Sequence, residues 1–510
     1  MSSTSENNKR IAKNTILLYI RMFFTMAVTL FTSRVVLNTL GVVDFGIYNV
    51  VGGIVAMMGV LNGAMAVSTQ RYLTFGLGQG NMVRLKQVFS TCLTIFFLLS
   101  IIVVLLAETI GLWFLHNKMI IPAERMLAAN WVYQYSILAC ILSLMVNPFN
   151  ATIIAHERMN AYAYVSILEV SLKLGIVYLL LAIPADRLST YGLLILISQA
   201  IITSTYIIYC WRHFAETHYR FYWERTLFIE LVSYSGWNLF GSVSSLVKGQ
   251  GLNILLNMFF NPAVNAARGI AYQINSAITQ FFTNFYTAVR PQITKYYAQG
   301  NIEDMLKLVF RSSKFSFYLI MLISMPVVIE TPYIVNLWLG QLPEYVVPFT
   351  RLIIIISAID AMATPLMTAA HATGNIRLYQ FSVGTMTILN LPISYMFLKL
   401  GGQPLTVFYV SLGISTFCLF MRLWIVRRLM DFPVKRYITQ VFGSCMFICV
   451  IASLIPLIAH MLLPKTFLNV VTICMLCITS TVVTIYYLGL TKHERNLVMN
   501  IIQKKILHKQ

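Results

Sequence analysis

The sequence predicts an all-α, polytopic membrane protein with about 14 transmembrane helices, arranged as two parallel six-helix lobes and a C-terminal helix pair. Three observations support this fold class. Of the 510 residues, 58% are apolar and 11% are charged, whereas soluble domains carry about 25% charged residues. Apolar runs of about 20 residues or more recur along the chain, and each is long enough for a helix to cross a bilayer. A set of short motifs also recurs in the same order in both halves.

The apolar runs place the predicted spans along the chain. Barrel strands would be about 10 residues long with alternating polarity, and the sequence lacks that pattern. The approximate limits of the spans are 14–38, 44–69, 87–108, 126–149, 160–183, 190–211, 227–258, 263–288, 308–331, 346–371, 376–399, 404–426, 437–461 and 466–489. The first run exceeds the apolar core of about 7–15 residues in a cleaved signal, so we interpret it as a retained helix.

Short motifs recur at an offset of about 220 residues, which indicates an internal repeat. The matched pairs are Leu37-Asn38 with Leu256-Asn257, Gln79-Gly80-Asn81 with Gln299-Gly300-Asn301, and Ala155–Asn160 with Ala370–Asn375. The members of each pair lie six predicted spans apart, so the two halves have the same orientation in the membrane. His156 and His371 occupy matching positions, which favours a structural turn at a helix end over catalysis.

The repeat and the charge pattern together predict the domain organisation. We expect an N-terminal lobe over 1–212, a cytoplasmic linker over 213–226, a C-terminal lobe over 227–430, and two extra helices with a basic tail over 431–510. Most of the 37 Lys and Arg residues fall in short segments on one side of the predicted spans. The positive-inside rule therefore places both termini in the cytoplasm. Because the net charge of +20 comes from these segments, it does not favour nucleic-acid binding.

Charged residues within the predicted spans are the candidate functional residues. An ionisable side chain at the bilayer centre costs about 2.5–3.5 kcal/mol, so such groups usually face a protein interior or a wet cavity. Arg21, Lys248, Arg268 and Asp360 lack an obvious partner nearby in sequence, and we expect them to line a central cavity. Three of these four are cationic, which favours an anionic ligand such as phosphate. Asp360 would counterbalance a cation or titrate.

Two further sets of charges lie in or beside the spans. Glu169 and Lys173 are four residues apart on the fifth predicted helix, so they share a face and pair; they fix packing or tune the field in the cavity. Arg34, Asp44, Glu330 and Arg351 lie near the predicted membrane interfaces, where anchoring or capping explains them. The sequence contains no paired carboxylates on a soluble scaffold, no Ser-His-Asp arrangement and no metal-ligand cluster. We therefore expect no enzymatic activity, no metal and no cofactor, with coupling to H⁺ or Na⁺ left open.

The run Leu40-Gly41-Val42-Val43-Asp44-Phe45-Gly46-Ile47-Tyr48 resembles the first outer turn of polysaccharide flippases in the multidrug/oligosaccharidyl-lipid/polysaccharide exporter superfamily. The six-plus-six repeat extends the resemblance over about residues 10–430, and the added pair over 437–489 is similar to fourteen-helix members such as lipid II flippases. The resemblance implies two helical bundles that open alternately to each side of the membrane. It also implies roles for Arg21, Arg268 and Asp44, the closest positional matches to functional residues of the lipid II relatives.

From the residues and the resemblance, we expect a monomeric flippase in a bacterial cytoplasmic membrane. Its expected substrate is an undecaprenyl-diphosphate-linked oligosaccharide for capsule or O-antigen assembly, with the lipid tail left in the bilayer. Arg21, Lys248 and Arg268 would bind the pyrophosphate, while Asp44, Glu169, Lys173 and Asp360 would set the cavity charge or couple an ion. The alternatives are a multidrug/cation antiporter of the same fold, a lipid II flippase, and a membrane-embedded glycosyltransferase or polymerase. The drug-exporting relatives often use an acid in the first helix, and this chain has none there.

Overall fold

The computed structural model describes residues 2–57, 59–117, 119, 121–182, 186–260, 262–340, 343–491 and 494–495. These residues form an all-helical fold, which confirms the predicted fold class. The helices are α1 Ser2–Met57, α2 Gly59–Gln79, α3 Met82–Leu106, α4 Leu112–Asn117, α5 Met126–Ala155, α6 Met159–Ala182, α7 Arg187–His213, α8 Arg225–Phe259, α9 Pro262–Ala298, α10 Ile302–Ile329, α11 Thr331–Leu339, α12 Val346–Ala372, α13 Arg377–Lys399, α14 Thr406–Met430, α15 Val434–Tyr437, α16 Ser444–Leu462 and α17 Phe467–Thr484. The predicted basic tail after residue 495 and the side chain of Arg34 lie outside the described part of the chain.

Eleven helical segments of the described residues are long and apolar enough to cross a bilayer, fewer than the number of spans that the sequence predicts. The predicted spans missing from these eleven are 44–69, 227–258 and 263–288. The first of them runs from the end of α1 into α2, and the other two are helical as α8 and α9. These two helices are 35 and 37 residues long, more than the about 20 residues that a span requires. Their polar composition, and not their length, distinguishes α8 and α9 from the eleven apolar segments.

Helix α1 changes direction at Gly41, within the motif that carries the family resemblance. Gly41 has φ 77° and ψ 168°, a conformation that lies outside the helical region. A side chain with a Cβ is disfavoured at this positive φ, whereas glycine adopts it readily. The kink separates the first two predicted spans and places Asp44 just beyond the turn.

The two copies of the Gln-Gly-Asn motif adopt the same backbone turn. Gly80 and Gly300 have positive φ values of 69° and 73°. Their amides donate hydrogen bonds to the carbonyls of Leu77, at 3.2 Å, and Tyr297, at 3.0 Å. The turns end α2 and α9, and α3 and α10 begin directly after them. The series α2, α3, α5, α6 and α7 is thus followed by a second series, α9, α10, α12, α13 and α14, in the same order.

The described residues divide into two compact units. The first unit takes residues from Met1–Val243 and Ala288–Asn301, and the second takes residues from Ser244–Thr287 and Ile302–Gln510. The beginning of α8 and the end of α9 therefore belong to the first unit, although both lie within the predicted C-terminal lobe. The limits of the two lobes stay a prediction.

Each unit has its own apolar core. In the first unit, Tyr133 is fully buried, and its hydroxyl donates to the carbonyl of Ala107 at 2.7 Å. Ala107 begins a π-helical turn that follows α3, so this side chain binds a carbonyl where the helical hydrogen-bond pattern changes. In the second unit, Phe349 packs on Phe408 with 4.4 Å between ring centroids. Close van der Waals packing of this kind holds helices together where lipid removes the hydrophobic driving force.

Candidate functional site

Arg125 connects three elements at the end of the first unit that the charge pattern places outside the membrane. Its Nε donates to Asp44 Oδ1 at 2.9 Å, and a terminal nitrogen contacts the other Asp44 oxygen. Its remaining terminal nitrogen donates to Asp186 Oδ1 at 2.6 Å. Asp44 is 5% exposed, so this carboxylate is held in a two-point ion pair. The structure thus gives Asp44 a partner that the sequence did not reveal, while its role in ion coupling stays a prediction.

Glu157 forms a second charged centre, at the opposite end of the first unit. Its side chain has 0% exposure and contacts Arg10 Nε at 2.7 Å and Lys295 Nζ at 2.6 Å. Gln292 also donates to this carboxylate. The backbone of Glu157 is in the left-handed region, with φ 58°, which is uncommon for a residue other than glycine. This turn belongs to the repeated motif, but no sequence pattern predicts that α1 and α9 supply cations to it.

Arg21 lies in a cluster of aromatic residues within the first unit. Its guanidinium carbon is 4.6 Å from the centroid of the Tyr162 ring, within the range of a cation–π contact. Tyr206 is close enough to Arg21, Tyr162 and Glu169 for each of them to act electrostatically on its hydroxyl. Arg21 and Glu169, which the sequence predicts separately, therefore lie near one tyrosine of α7.

Glu169 and Lys173 form the ion pair that their spacing predicts. Lys173 Nζ is 2.7 Å from Glu169 Oε1, and the two side chains are 47% and 41% exposed. Because the pair has no net charge, Arg21 supplies the excess positive charge of this part of the first unit. The proposed role of the pair in tuning the field stays a prediction.

Arg268 of the second unit is held by three contacts from α8 and α9. One terminal nitrogen donates to the carbonyl of Gly249 at 2.8 Å, and the other donates to Asn253 Oδ1 at 3.2 Å. Its guanidinium carbon also lies 4.5 Å from the centroid of the Tyr272 ring. The side chain is therefore oriented by α8 and by the next turn of α9. It stays partly exposed, and a guanidinium has five N–H donors, so donors remain for a ligand.

The exposed face of α9 in the second unit is polar. Gln273, Ser276, Gln280 and Thr283 are exposed and follow one another at intervals of three or four residues. Residues at these intervals lie on one face of a helix. A lipid-facing helix would present apolar side chains there, so this polar face is typical of a helix that borders a wet space.

Asp360 lies on α12 beside residues of α14. Ser415 Oγ donates to Asp360 Oδ1 at 2.9 Å, and Arg422 is 3.6 Å from the same oxygen. The Asp360 side chain is 45% exposed and that of Arg422 is 17% exposed. Of the two possibilities that the sequence left open for Asp360, the contact with Arg422 favours counterbalancing a cation.

Lys248 of α8 belongs to the same part of the second unit. It is partly exposed, and Lys248, Asp360 and Arg422 are all close enough to Cys418 to act on its thiol electrostatically. Counting Arg268, the described residues named here are three cations and one carboxylate. The excess of positive charge agrees with the sign that the sequence predicts.

The sequence reasoning missed Arg422 and the aromatic partners of the two arginines. Arg422 lies inside the predicted span 404–426, so the criterion that selected Lys248 also applied to it. Tyr162 and Tyr272 gave no such signal, because a tyrosine is common in a membrane helix. The structure places Arg21 in the first unit and Lys248 and Arg268 in the second, and the cavity that they are predicted to share stays a prediction.

No family model and no curated protein matches the sequence. Solved structures nevertheless share its fold. A MATE transporter in the bent conformation has a TM-score of 0.71 at 14% identity, and the match covers 83% of this chain and 96% of that chain. An outward-facing multidrug resistance MATE family transporter of the MOP superfamily has a TM-score of 0.66 at 14% identity, covering 83% and 97%.

A third similar structure is a MOP superfamily transporter from Pyrococcus furiosus. Its TM-score is 0.65 at 13% identity, and the match covers 84% of this chain and 96% of that chain. That protein is described as having a binding pocket of reverse polarity, which suggests a different function. At these identities the comparisons establish the fold and not the substrate. The chain has the fold of the MATE transporters, and its resemblance to the polysaccharide flippases stays a prediction.

Proposed function

We propose that this chain is a lipid-linked oligosaccharide flippase that moves undecaprenyl-diphosphate-linked glycan units across the bacterial cytoplasmic membrane by alternating access. The observation that carries the proposal is the excess of partly exposed cations within the predicted spans of both units. A pyrophosphate carries negative charge in the low-dielectric part of the bilayer, where an unpaired anion is costly. Oriented guanidinium groups offset that cost with paired hydrogen bonds.

Arg268 is the proposed principal ligand of the pyrophosphate. Its contacts with Gly249 and Asn253 fix the guanidinium plane, and a planar fork of donors suits bidentate binding of a phosphate group. Lys248 would add a point charge from the preceding helix, and Arg21 would add a second guanidinium from the first unit. The polar face of α9 supplies amide and hydroxyl groups, which suit the hydroxyl-rich glycan.

The remaining predicted site residues have proposed auxiliary roles. Asp360 would hold Arg422 and set the local charge, and the Glu169–Lys173 pair would tune the field near Arg21. Coupling to H⁺ or Na⁺ through one of the carboxylates, including Asp44, remains part of the proposal. The proposal also includes a monomeric state, a cytoplasmic location of both termini, and the absence of covalent chemistry.

A multidrug antiporter is the second candidate, because one structure with this fold is described as a multidrug resistance transporter. That function requires a site that attracts organic cations. The region around Lys248, Arg268 and Arg422 has the opposite sign, with Asp360 as its one described carboxylate partner. The structure described as having reverse pocket polarity is a precedent for using pocket charge to divide functions within this fold.

The proposal can be tested with the double variant Arg21→Gln/Arg268→Gln in cells that make a lipid-linked glycan. We expect the lipid-linked intermediate to accumulate on the cytoplasmic side while folded protein remains in the membrane. Loss of a hydrogen bond between charged groups costs about 1.5–3 kcal/mol, so each substitution lowers the translocation rate roughly tenfold to a hundredfold. The matched control Lys13→Gln/Lys399→Gln removes the same charge from two exposed positions outside the proposed site and should export normally.

Three outcomes separate the candidates. Normal translocation by the folded Arg21→Gln/Arg268→Gln variant would overturn the proposed site. Efflux of a cationic dye that depends on Asp360 would favour the antiporter. Loss of synthesis of the lipid-linked intermediate, in place of its accumulation, would favour an enzyme. An Arg268→Lys variant sharpens the result, since it keeps the charge and removes the planar fork, and we expect it to retain only part of the activity.

A further inference from the structure

A groove with a volume of about 580 Å³ lies between the beginning of α3 and the linker that connects α7 with α8. Both elements belong to the first unit, at the end of the spans that the charge pattern places in the cytoplasm. Lys86, Gln87 and Ser90 line one side of the groove, and His218 and Arg220 line the other. The proposed transport function makes no use of this groove.

The linker runs antiparallel along α3, as three contacts show. Glu224 accepts a hydrogen bond from Arg84 at 2.8 Å, the amide of Arg220 donates to Ser90 Oγ at 3.4 Å, and the hydroxyl of Tyr219 is 3.2 Å from Thr94 Oγ1. From Arg84 to Thr94 a helix rises about 15 Å. Because α3 begins a segment that is long and apolar enough to cross a bilayer, the linker lies along the first turns of a candidate membrane helix.

Large aromatic side chains of the linker are exposed beside the groove. Tyr219, Phe221 and Trp223 are 45%, 73% and 55% exposed. They occupy alternate positions, so in an extended segment they lie on one side of the chain. Aromatic residues of this kind are enriched at the level of lipid headgroups, where one part of the ring meets lipid and another meets water. The linker thus has the composition of an interfacial segment.

The polar lining of the groove is basic. Lys86, His218 and Arg220 are exposed, and the described residues that line the groove include no carboxylate. The nearest acids have partners elsewhere, since Glu224 pairs with Arg84 and Glu216 pairs with His156. Lys86 also acts on Glu216 electrostatically, so part of its charge is offset. Arg220 keeps the groove positive.

We propose that this groove binds the headgroup of an anionic phospholipid of the cytoplasmic leaflet. Lys86 and Arg220 contact the phosphate, and the exposed rings of Phe221 and Trp223 lie against the glycerol and upper acyl chains. A soluble phosphate would account for the basic lining but not for three exposed aromatic side chains on a segment that follows a membrane helix. The combination of basic lining and exposed rings therefore points to a lipid.

Trp223 provides a reporter for the test. The purified protein is placed in phosphatidylcholine nanodiscs that contain equal fractions of acyl-brominated phosphatidylglycerol or acyl-brominated phosphatidylcholine. The difference in emission between the wild type and Trp223→Phe isolates the quenching of Trp223. We expect the anionic lipid to quench Trp223 more strongly. Each basic side chain near the surface should enrich that lipid around the groove about fivefold.

In the variant Lys86→Gln/Arg220→Gln, we expect both lipids to quench Trp223 equally. The matched control Lys307→Gln/Lys435→Gln removes two exposed cations of the second unit and should keep the preference. Equal quenching of the wild type by both lipids, or a preference retained by Lys86→Gln/Arg220→Gln, would overturn the proposal. Inorganic phosphate added to the nanodiscs tests the other anion. If it abolishes the preference for the anionic lipid, the groove binds a soluble anion and the lipid proposal is overturned.

Discussion

Three acidic centres, two in the first unit and one in the second, differ in their burial and in their partners. Asp44 and Glu157 lie at opposite ends of the first unit, are almost fully buried, and each accept from more than one donor group. In the second unit, Asp360 lies within α12, is 45% exposed, and has Arg422 at 3.6 Å and Ser415 at 2.9 Å. A carboxylate with saturated contacts stabilises a structure, whereas a partly exposed one can exchange partners.

The cations differ in the same way. Arg125 and Lys295 of the first unit are committed to acidic partners. Among the described residues, Arg268 of the second unit contacts a carbonyl, an amide oxygen and a ring, and no carboxylate. Arg125 and Lys295 therefore hold helices through ion pairs, whereas Arg268 keeps a charge that a ligand could meet.

The largest effect should follow from Glu157→Gln. This variant tests whether the stability of the first unit depends on the buried carboxylate and its donors. Breaking a buried ion pair typically costs about 3–5 kcal/mol, because it leaves an uncompensated charge. Since Arg10 is 45% exposed and water can solvate it, we expect about 3 kcal/mol or less. The midpoint of thermal unfolding in detergent measures this loss. The control Glu303→Gln, whose side chain is 81% exposed, should change stability by less than about 1 kcal/mol, and an equal shift for both variants would contradict the comparison.

Arg125→Lys should have the next largest effect. Lysine keeps the charge but cannot contact both oxygens of Asp44 and an oxygen of Asp186 in one plane. Arg125 is 34% exposed, so after allowance for solvent screening we expect a loss of about 1–2 kcal/mol. Arg187→Lys is the matched control, because Arg187 donates a hydrogen bond to the carbonyl of Thr39, at 3.0 Å, which lysine can replace, and has no acidic partner among the described residues. Unfolding midpoints that shift equally in the two variants would argue against a specific fork at Arg125.

A double-mutant cycle of Asp360→Asn and Arg422→Gln tests the second unit. Because Asp360 is 45% exposed, we expect a coupling of about 0.5–1 kcal/mol, smaller than for either carboxylate centre of the first unit. Transport should respond more strongly than stability, since Asp360→Asn leaves Arg422 free to compete for the anionic substrate. A coupling as large as the effect of Glu157→Gln would remove the distinction between the two units.

The smallest effect should be the pH dependence that comes from Glu216. Burial raises its pKa, but hydrogen bonds from His156 and from its own backbone outweigh burial, and the pKa lies below its ordinary value of 4.5. A lowered pKa in the folded state contributes stability above pH 4.5, and this contribution is lost as the pH falls through the lowered value. His156→Phe keeps the stacking on Phe214, 4.2 Å between centroids, but removes the partner of Glu216.

We therefore expect His156→Phe to unfold at a slightly lower temperature than the wild type at pH 7 and to lose less stability between pH 5 and pH 3. The difference between the two slopes should correspond to about 2 °C or less in the unfolding midpoint. Identical slopes for the two proteins would show that Glu216 does not depend on His156.

Local sequence patterns predicted much of the fold. Apolar runs of about 20 residues favour membrane helices, and the Gln-Gly-Asn motif predicted a repeat that appears as two similar turns at Gly80 and Gly300. The ion pair of Glu169 and Lys173 was predictable because four residues are one helical turn. The polar helices α8 and α9 were placed correctly, but their difference from the other spans became clear only when their exposed faces were known.

The sequence by itself determined the class of fold, the helix order and the internal repeat, because composition and spacing act along the chain. The tertiary structure decided which charges are neutralised. Arg125 lies 81 residues from Asp44, and Lys295 lies 138 residues from Glu157. Partners at such separations meet only through helix packing, and no local rule of spacing relates them.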